Sequence, residues 1–202
     1  MKNLLSLYDY TGNWSEPYRK AGWGIVQIDK ELGQDILEWD FKEYPRTHFA
    51  GILAAQPCTA YALSGATHWV KKDADGTTEY FDTLTRKTLE IIEYFRPGLE
   101  FWVLENPVGR IAQRVPELKK YRLYHFNPCD FGDPYTKKTV LYGEFKPWLI
   151  HRPVKPIRVK GGHHSVDAFY LQGKKKIRFQ ERAALRSQTP PGFSQAFFEA
   201  NH

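Results

Sequence analysis

Apolar residues come in short blocks along this chain, and their spacing alternates between two periods. Leu4 to Tyr8 is a short apolar run, followed by a polar turn over Asp9 to Asn13 and a helical stretch ending near Ala21-Gly22. Gly24 to Ile28 reads as a second strand ending on Asp29. Phe49 to Ala55 reads as a third, cut off at Gln56-Pro57-Cys58 because proline lacks the donor that strand pairing needs. Cys58 is thereby set just beyond a strand tip. Phe81, Leu84, Ile91, Ile92 and Phe95 then recur near helical spacing, and Arg96-Pro97-Gly98 closes that helix. Leu99 to Leu104 predicts the next strand, ending on Glu105-Asn106-Pro107, with further strands over Tyr121 to Asn127 and Thr139 to Tyr142. From Pro191 to Ala200, with Phe193, Phe197 and Phe198 on one side, the pattern predicts a packed terminal helix.

Strands alternating with helices predict an α/β fold, a mostly parallel sheet flanked by helices, with ligands bound beyond the carboxyl ends of the strands. Asp9, Asp29, Cys58 and Glu105 all fall at such ends. The 202 residues, 42% hydrophobic and 15% aromatic, bury one substantial core, so residues 1–202 are read as one domain. Met1-Lys2-Asn3-Leu4-Leu5 turns polar too soon for a signal peptide, and no run of about 18 apolar residues exists. A cytoplasmic protein that does not enter the membrane is expected. Two cysteines, Cys58 and Cys129, are too few for a disulfide framework, so each is judged as a thiol, and Cys129 is read as structural.

The formal charge of +6 favours a polyanionic partner. Between Lys146 and Gln180 nine Lys/Arg stand against one acid, Asp167, with three prolines and Gly161-Gly162. Arg152, Lys155, Arg158, Lys160, Lys174, Lys175, Lys176 and Arg178 suit phosphate contacts, which give affinity without sequence choice. A solvated basic loop is the plainer reading of the same run. His163-His164 have no second ligand pair at metal-binding spacing, so no metal is expected and both are read as loop or DNA-contacting residues.

A cysteine and a glutamate at neighbouring strand tips suit one problem, making carbon 5 of cytosine nucleophilic. A thiolate adding to carbon 6 pushes density onto carbon 5, and an acid at ring nitrogen 3 stabilises the charge that develops. Alone, a cysteine in an apolar run is usually a small core residue and a glutamate a surface charge, so the surrounding motifs decide.

The run Phe49-Ala50-Gly51-Ile52-Leu53-Ala54-Ala55-Gln56-Pro57-Cys58-Thr59-Ala60-Tyr61-Ala62-Leu63-Ser64-Gly65 resembles the nucleophile loop of the DNA cytosine-5 methyltransferase family, where a Pro-Cys pair presents the thiol. Phe101-Trp102-Val103-Leu104-Glu105-Asn106-Pro107 is similar to that family's next catalytic segment. Leu5 to Ser15, followed by Ala21-Gly22, resembles the cofactor loop, with Tyr8 in the aromatic place, Gly12 as one glycine, and Asp9, Tyr10, Thr11 and Trp14 around them; Tyr10 and Trp14 read equally as core aromatics, the plainer reading for Trp14. By this resemblance Asp29, next to Lys30, meets the ribose hydroxyls, with Gln27 the alternative in a shifted register, and Asp35-Ile36 reads the adenine edge. Phe131 to Thr139 resembles a degenerate form of the segment whose Gln and two Arg contact the flipped cytosine; Tyr135, Lys137 and Thr139 stand in for them. Arg186-Ser187-Gln188-Thr189-Pro190-Pro191 resembles the closing motif, Ser187 replacing its asparagine.

The resemblance runs in order from Leu4 to Ala200 and is that of a small, phage-like member lacking a full target recognition domain, with residues 146–180 in its place. It implies a Rossmann-like methyltransferase fold, S-adenosylmethionine as cofactor, DNA as partner with the base flipped out, Cys58, Glu105, Lys137 and Thr139 at the chemistry, and Pro57 beside the cofactor. The basic stretch is too short for an elaborate reader, so low sequence specificity is expected, or specificity lent by a partner subunit or second copy, with the host cytoplasm as location if phage-encoded. The chain departs from the family at Ser6 (the cofactor-loop acid), Tyr10 (a glycine), Thr59 (a glutamine) and the two missing arginines. Arg186 lies near where the sulfonium methyl would be, and a guanidinium there pairs with a carboxylate. Carboxymethyl transfer from carboxy-S-adenosylmethionine is therefore an alternative. A noncatalytic DNA-binding subunit of the same fold is another. Methylation of an exocyclic amine needs an Asp/Asn-Pro-Pro-aromatic loop, which Asn106-Pro107-Val108 does not supply.

Overall fold

The computed structural model describes residues 1–157 and 185–202. Arg158, Lys160, His163, His164, Lys174, Lys175, Lys176 and Arg178 lie outside the described residues.

Strands β1 (Asn3–Leu7), β2 (Gly24–Ile28), β3 (Gly51–Ala55) and β4 (Phe101–Pro107) run parallel, and β5 (Arg122–Phe126) and β6 (Thr139–Glu144) complete a six-stranded sheet of order β2-β1-β3-β4-β6-β5. Each strand falls where the apolar pattern predicts it, with ends moved by up to three residues, β4 running on through Glu105 and Asn106 to Pro107. The direction of β6 is not in that pattern. Between β5 and β6 the chain makes only one 3-10 turn, Pro128–Phe131, which is too little to cross back over the sheet, so β6 runs antiparallel to both neighbours.

Successive side chains of a strand point to opposite faces, and here both faces are covered, which explains why the strands read as nearly unbroken apolar runs. On one face Leu5, Leu7, Ile52, Ala54, Trp102 and Leu104 pack with Leu84, Ile91, Ile92 and Phe95 of helix α3 (Thr77–Phe95). On the other, Leu4, Leu53, Phe101 and Val103 meet Trp14, Tyr18 of α1 (Glu16–Lys20), and Phe193 and Phe197 of the terminal helix α5 (Pro191–Ala200). Phe193 and Phe197 are wholly buried, and each contributes roughly 2 kcal/mol by that burial. The spacing of Phe81 to Phe95 was enough to find α3 but not its start. It begins at Thr77, whose amide donates to Asp75 Oδ1, and two short helices, α2 (Trp69–Ala74) and α4 (Ile111–Arg114), are too brief to leave a period.

β1 pairs with β2 on one side and β3 on the other, so the winding of the sheet reverses between β1 and β3. In open α/β sheets this reversal opens a crevice at the carboxyl edge, and that is where ligands bind. Among the described residues no helix is long and apolar enough to cross a membrane.

Candidate active site

The carboxyl edge brings Cys58, Glu105 and Lys137 together. β3 ends at Ala55, and after buried Gln56 the ring of Pro57 ends the ladder and carries Cys58 out of the sheet. Glu105 is in register with Ala55 on the adjoining strand, and Lys137 Nζ, from the segment leading into β6, stands 3.6 Å from Glu105 Oε1. Both side chains are mostly buried, so their charges are felt at short range with little screening. Burial pushes the Cys58 thiol up, the Lys137 ammonium draws it back down, and the Glu105 carboxylate adds to the rise. Replacing Lys137 with Met removes the largest opposing charge. The thiol then rises further, and alkylation of Cys58 by iodoacetamide at neutral pH should slow by about threefold to tenfold relative to Cys129. An unchanged ratio would place the ammonium away from the sulfur.

The loop carrying Cys58 is fixed from three sides. Asn106 Nδ2 donates to Gln56 O at 2.9 Å, tying the β4 tip to the residue two before the thiol. The amides of Tyr61 and Ala62 both donate to Cys58 O at 2.9 Å, and Lys72 Nζ donates to Thr59 O at 2.6 Å. Arg110 Nε donates to Ala60 O at 3.0 Å while its two terminal nitrogens fork onto Asp73 at 2.7 and 2.8 Å and its guanidinium lies 4.6 Å from the Trp69 ring centre. The Arg110 hydrogen bonds hold the Asp73 carboxyl down to about 2, so this clamp stays charged at any physiological pH. Ala62 bridges Gly109, where a Cβ would come within 1.9 Å of Tyr61 O; only glycine allows the two loops to lie this close. The inward polar residues of α3 complete the frame, Asp82 and Thr85 each holding the Tyr61 hydroxyl at 3.0 Å.

At the neighbouring tips of β1 and β2 the chain builds a tight, hydrogen-bonded turn. Tyr8 turns left-handed at φ 59°, an uncommon conformation for a bulky residue, and its hydroxyl meets Thr88 Oγ1 at 3.1 Å and Leu84 O at 3.3 Å. The ring is therefore packed toward α3. Asp9 is buried and accepts from Ser6 Oγ, Ser15 Oγ and the Ser15 and Trp14 amides. Burial pushes its carboxyl up, and the two serines pull it back. Gly12 at φ 70° closes the turn, and Gln27 Nε2 donates to Asp9 O at 2.8 Å. Tyr10 and Thr11 form an exposed lip. Asp29, half-buried just past β2, accepts from the Glu31 amide at 2.8 Å, and its carboxyl is raised by burial. Lys30 reaches Asp35 at 3.3 Å.

Several expected contacts need correcting in the light of this geometry. Trp14 and Ile36 are core residues, with 0% and 3% of their surface exposed, and have no face left for a ligand. Asp9 acts on the turn, since its carboxylate is consumed by that turn's own donors. Thr139 is buried in β6 and donates to Lys137 O at 2.8 Å, so its hydroxyl is engaged by the chain that carries Lys137. Arg152 is paired with Glu199 at 3.0 Å, whereas Lys155 is exposed. Arg186 and Ser187 are exposed near the site, Lys137 Nζ donating to Arg186 O at 3.3 Å. Arg110, Asp73 and Asn106 were not singled out from the sequence. Nothing in spacing joins Arg110 to Asp73, although Arg110 lies only five residues after Glu105.

Sequence comparison finds no matching family model and no matching curated protein. Among solved structures, a protein encoded within an Escherichia coli prophage and described as a DNA modification methyltransferase is similar, at a TM-score of 0.50 and 14% identity, over 77% of this chain and 53% of that one. The Entamoeba histolytica methyltransferase EhMeth superposes at a TM-score of 0.46 and 13% identity, over 78% of this chain and 58% of its own. The chain thus spans little more than half the length of either. The first likeness, together with the strand order, shows the fold: a Rossmann-like, mostly parallel sheet flanked by helices, shared with that methyltransferase structure.

Proposed function

We propose that the chain is a DNA cytosine-5 methyltransferase with Cys58 as nucleophile. The observation that carries this reading is the meeting of Cys58, Glu105 and Lys137 at the carboxyl edge, next to the crevice between β1 and β3. The turn from Asp9 to Ser15 and the carboxylate of Asp29 suit the methionine and ribose parts of S-adenosylmethionine, which supplies an electrophilic methyl carbon when bound. Lys137 favours the Cys58 thiolate, and Sγ forms a bond to carbon 6 of the flipped cytosine. Glu105 hydrogen-bonds or protonates nitrogen 3, taking up the charge that addition drives into the ring. Carbon 5 then bonds to the methyl carbon of S-adenosylmethionine as the methyl–sulfonium bond breaks to leave the thioether. Loss of the carbon 5 proton to water returns the C–H electron pair, which expels Sγ from carbon 6 and regenerates Cys58. Thr139, Asn106 and Arg110 hold these groups in place.

Mass analysis of nucleosides from DNA incubated with the protein and S-adenosylmethionine tests this directly. 5-Methylcytosine is the expected product. Unmodified DNA, or a methyl group on the exocyclic amine, contradicts the proposal.

One observation favours a second reading. The hydrogen bond from Lys137 to the Arg186 carbonyl holds the Arg186 backbone beside the catalytic cluster. A guanidinium next to a sulfonium is repulsive unless an anion lies between them, and a carboxylate on the transferred carbon is such an anion. With both cofactors in competition, this reading expects carboxymethylcytosine from the wild type and a shift toward methylcytosine in Arg186→Ala. Methyl-only product from both proteins removes it.

A further inference from the structure

We propose that a basic cleft beside the active site holds the phosphate backbone of the DNA strand next to the target base. The inference deepens the nucleic-acid reading and rests on it. A cleft of about 280 Å³ opens against the β5–β6 edge, with Val108, Gly109, Val140 and Tyr142 behind it and Gln113, Lys119 and Arg122 among its polar walls. Lys138 stands next to it, since the Val108 amide donates to the Lys138 carbonyl at 2.9 Å.

Two features make this an anion site joined to the chemistry. The first is charge. Lys119, Arg122 and Lys138 are exposed, and among the described residues none of the three is within ion-pairing distance of a carboxylate. Arg122 instead points Nε at His125 Nε2, 3.0 Å away. The His125 imidazole is held below its ordinary range, by burial first and then by the charges of Arg122 and Lys138, so both cations act on one spot. Three unpaired cations around a cleft walled by an amide and apolar side chains suit a phosphodiester, whose charge they meet and whose sugar edge the apolar wall can take.

The second feature is position. Val108 and Gly109 directly follow the Glu105-Asn106-Pro107 tip, the Leu63 amide donates to Val108 O at 3.0 Å, and Gly109 bridges Ala62 of the Cys58 loop. Lys138 is the neighbour of Lys137, whose ammonium stands beside Glu105. A base at Cys58 therefore has the phosphates of its own strand within a short step of the cleft. The three cations come from separate elements, with Asp130 and Asp133 between Arg122 and Lys138 in sequence, so no long basic run announces them. In the described part of the basic stretch, by contrast, Arg152 is already paired with Glu199.

The test measures binding of the full chain to a fluorescein-labelled DNA duplex by anisotropy across a potassium chloride series. It compares wild type, Lys119→Ala/Arg122→Ala/Lys138→Ala, and a control, Lys20→Ala/Lys42→Ala. Each phosphate contact contributes about 0.9 to the slope of log K against log salt, so losing three should flatten the slope by about 2.7 and weaken binding on the order of a hundredfold at about 0.1 M salt, alike for all sequences. The control should bind as wild type does, and matching thermal melts should show that all three proteins are folded. A triple variant with wild-type slope and affinity overturns the cleft while leaving the enzyme reading intact. A wild type that binds no DNA even at low salt overturns the nucleic-acid reading itself. Loss confined to one DNA sequence overturns a backbone role in favour of base reading.

Discussion

Replacing Cys58 with alanine is expected to lower product formation by at least about ten-thousandfold while leaving affinity for S-adenosylmethionine nearly unchanged. In the proposed mechanism the sulfur forms the bond that activates the base, whereas the residues proposed to hold the cofactor lie at the tips of β1 and β2. Structural damage should be small, because the loop is held through the Cys58 carbonyl and its neighbours: Tyr61 and Ala62 donate to that carbonyl, and Arg110 holds Ala60. Product mass and cofactor titration on the same preparation check both halves. Substantial turnover by the alanine variant would end the covalent mechanism. Because burial raises the thiol, thiolate is a minority form at neutral pH, so alkylation of Cys58 in the free wild-type protein should keep rising with pH beyond the range where an exposed thiol levels off.

Glu105→Gln is expected to slow turnover by about two to three powers of ten, since the amide keeps the shape but cannot share a proton with nitrogen 3. The same substitution removes a negative charge that raises the Cys58 thiol, so iodoacetamide should alkylate Cys58 faster in the variant than in wild type. Slower catalysis with a more reactive thiol is a combination that loosened structure alone does not predict. A drop in turnover below tenfold, or a thiol unchanged in reactivity, would assign Glu105 to holding Lys137, its partner at 3.6 Å.

Much of this arrangement is legible in the sequence, and the parts that are not share a physical reason. Strands buried on both faces give apolar blocks of distinctive length, and Pro57 and the Glu105-Asn106-Pro107 run mark where two of them stop, so the sheet and the placing of Cys58 and Glu105 at its carboxyl edge can be read from one dimension. Strand direction cannot, because antiparallel β6 alternates its side chains as a parallel strand would. Local sequence also does not say where a polar side chain spends its hydrogen bonds. Asp9 and Thr139 match positions expected to meet ligands, yet both are consumed by neighbours within a few residues. Trp14 reads more plainly as a core aromatic than as a cofactor contact, but only the fold supplies its partners, Phe193 and Phe197 from a helix far along the chain. Arg110 joins Asp73, Thr78 and Ala60, a set that only the fold assembles.

The central claim is a covalent bond between Cys58 and carbon 6 of cytosine, and a mechanism-based trap measures that bond itself. DNA carrying 5-fluorocytosine has no proton to lose from carbon 5 after transfer, so the step that releases the sulfur is blocked. Incubated with the protein and S-adenosylmethionine, it should give a complex that survives a denaturing gel, and peptide mass mapping should place the added nucleotide on Cys58, with Cys129 unmodified. Cys58→Ala should give no such complex. Methylation of ordinary DNA by the same preparation, with no adduct on fluorinated DNA or with the adduct on another residue, would contradict the mechanism.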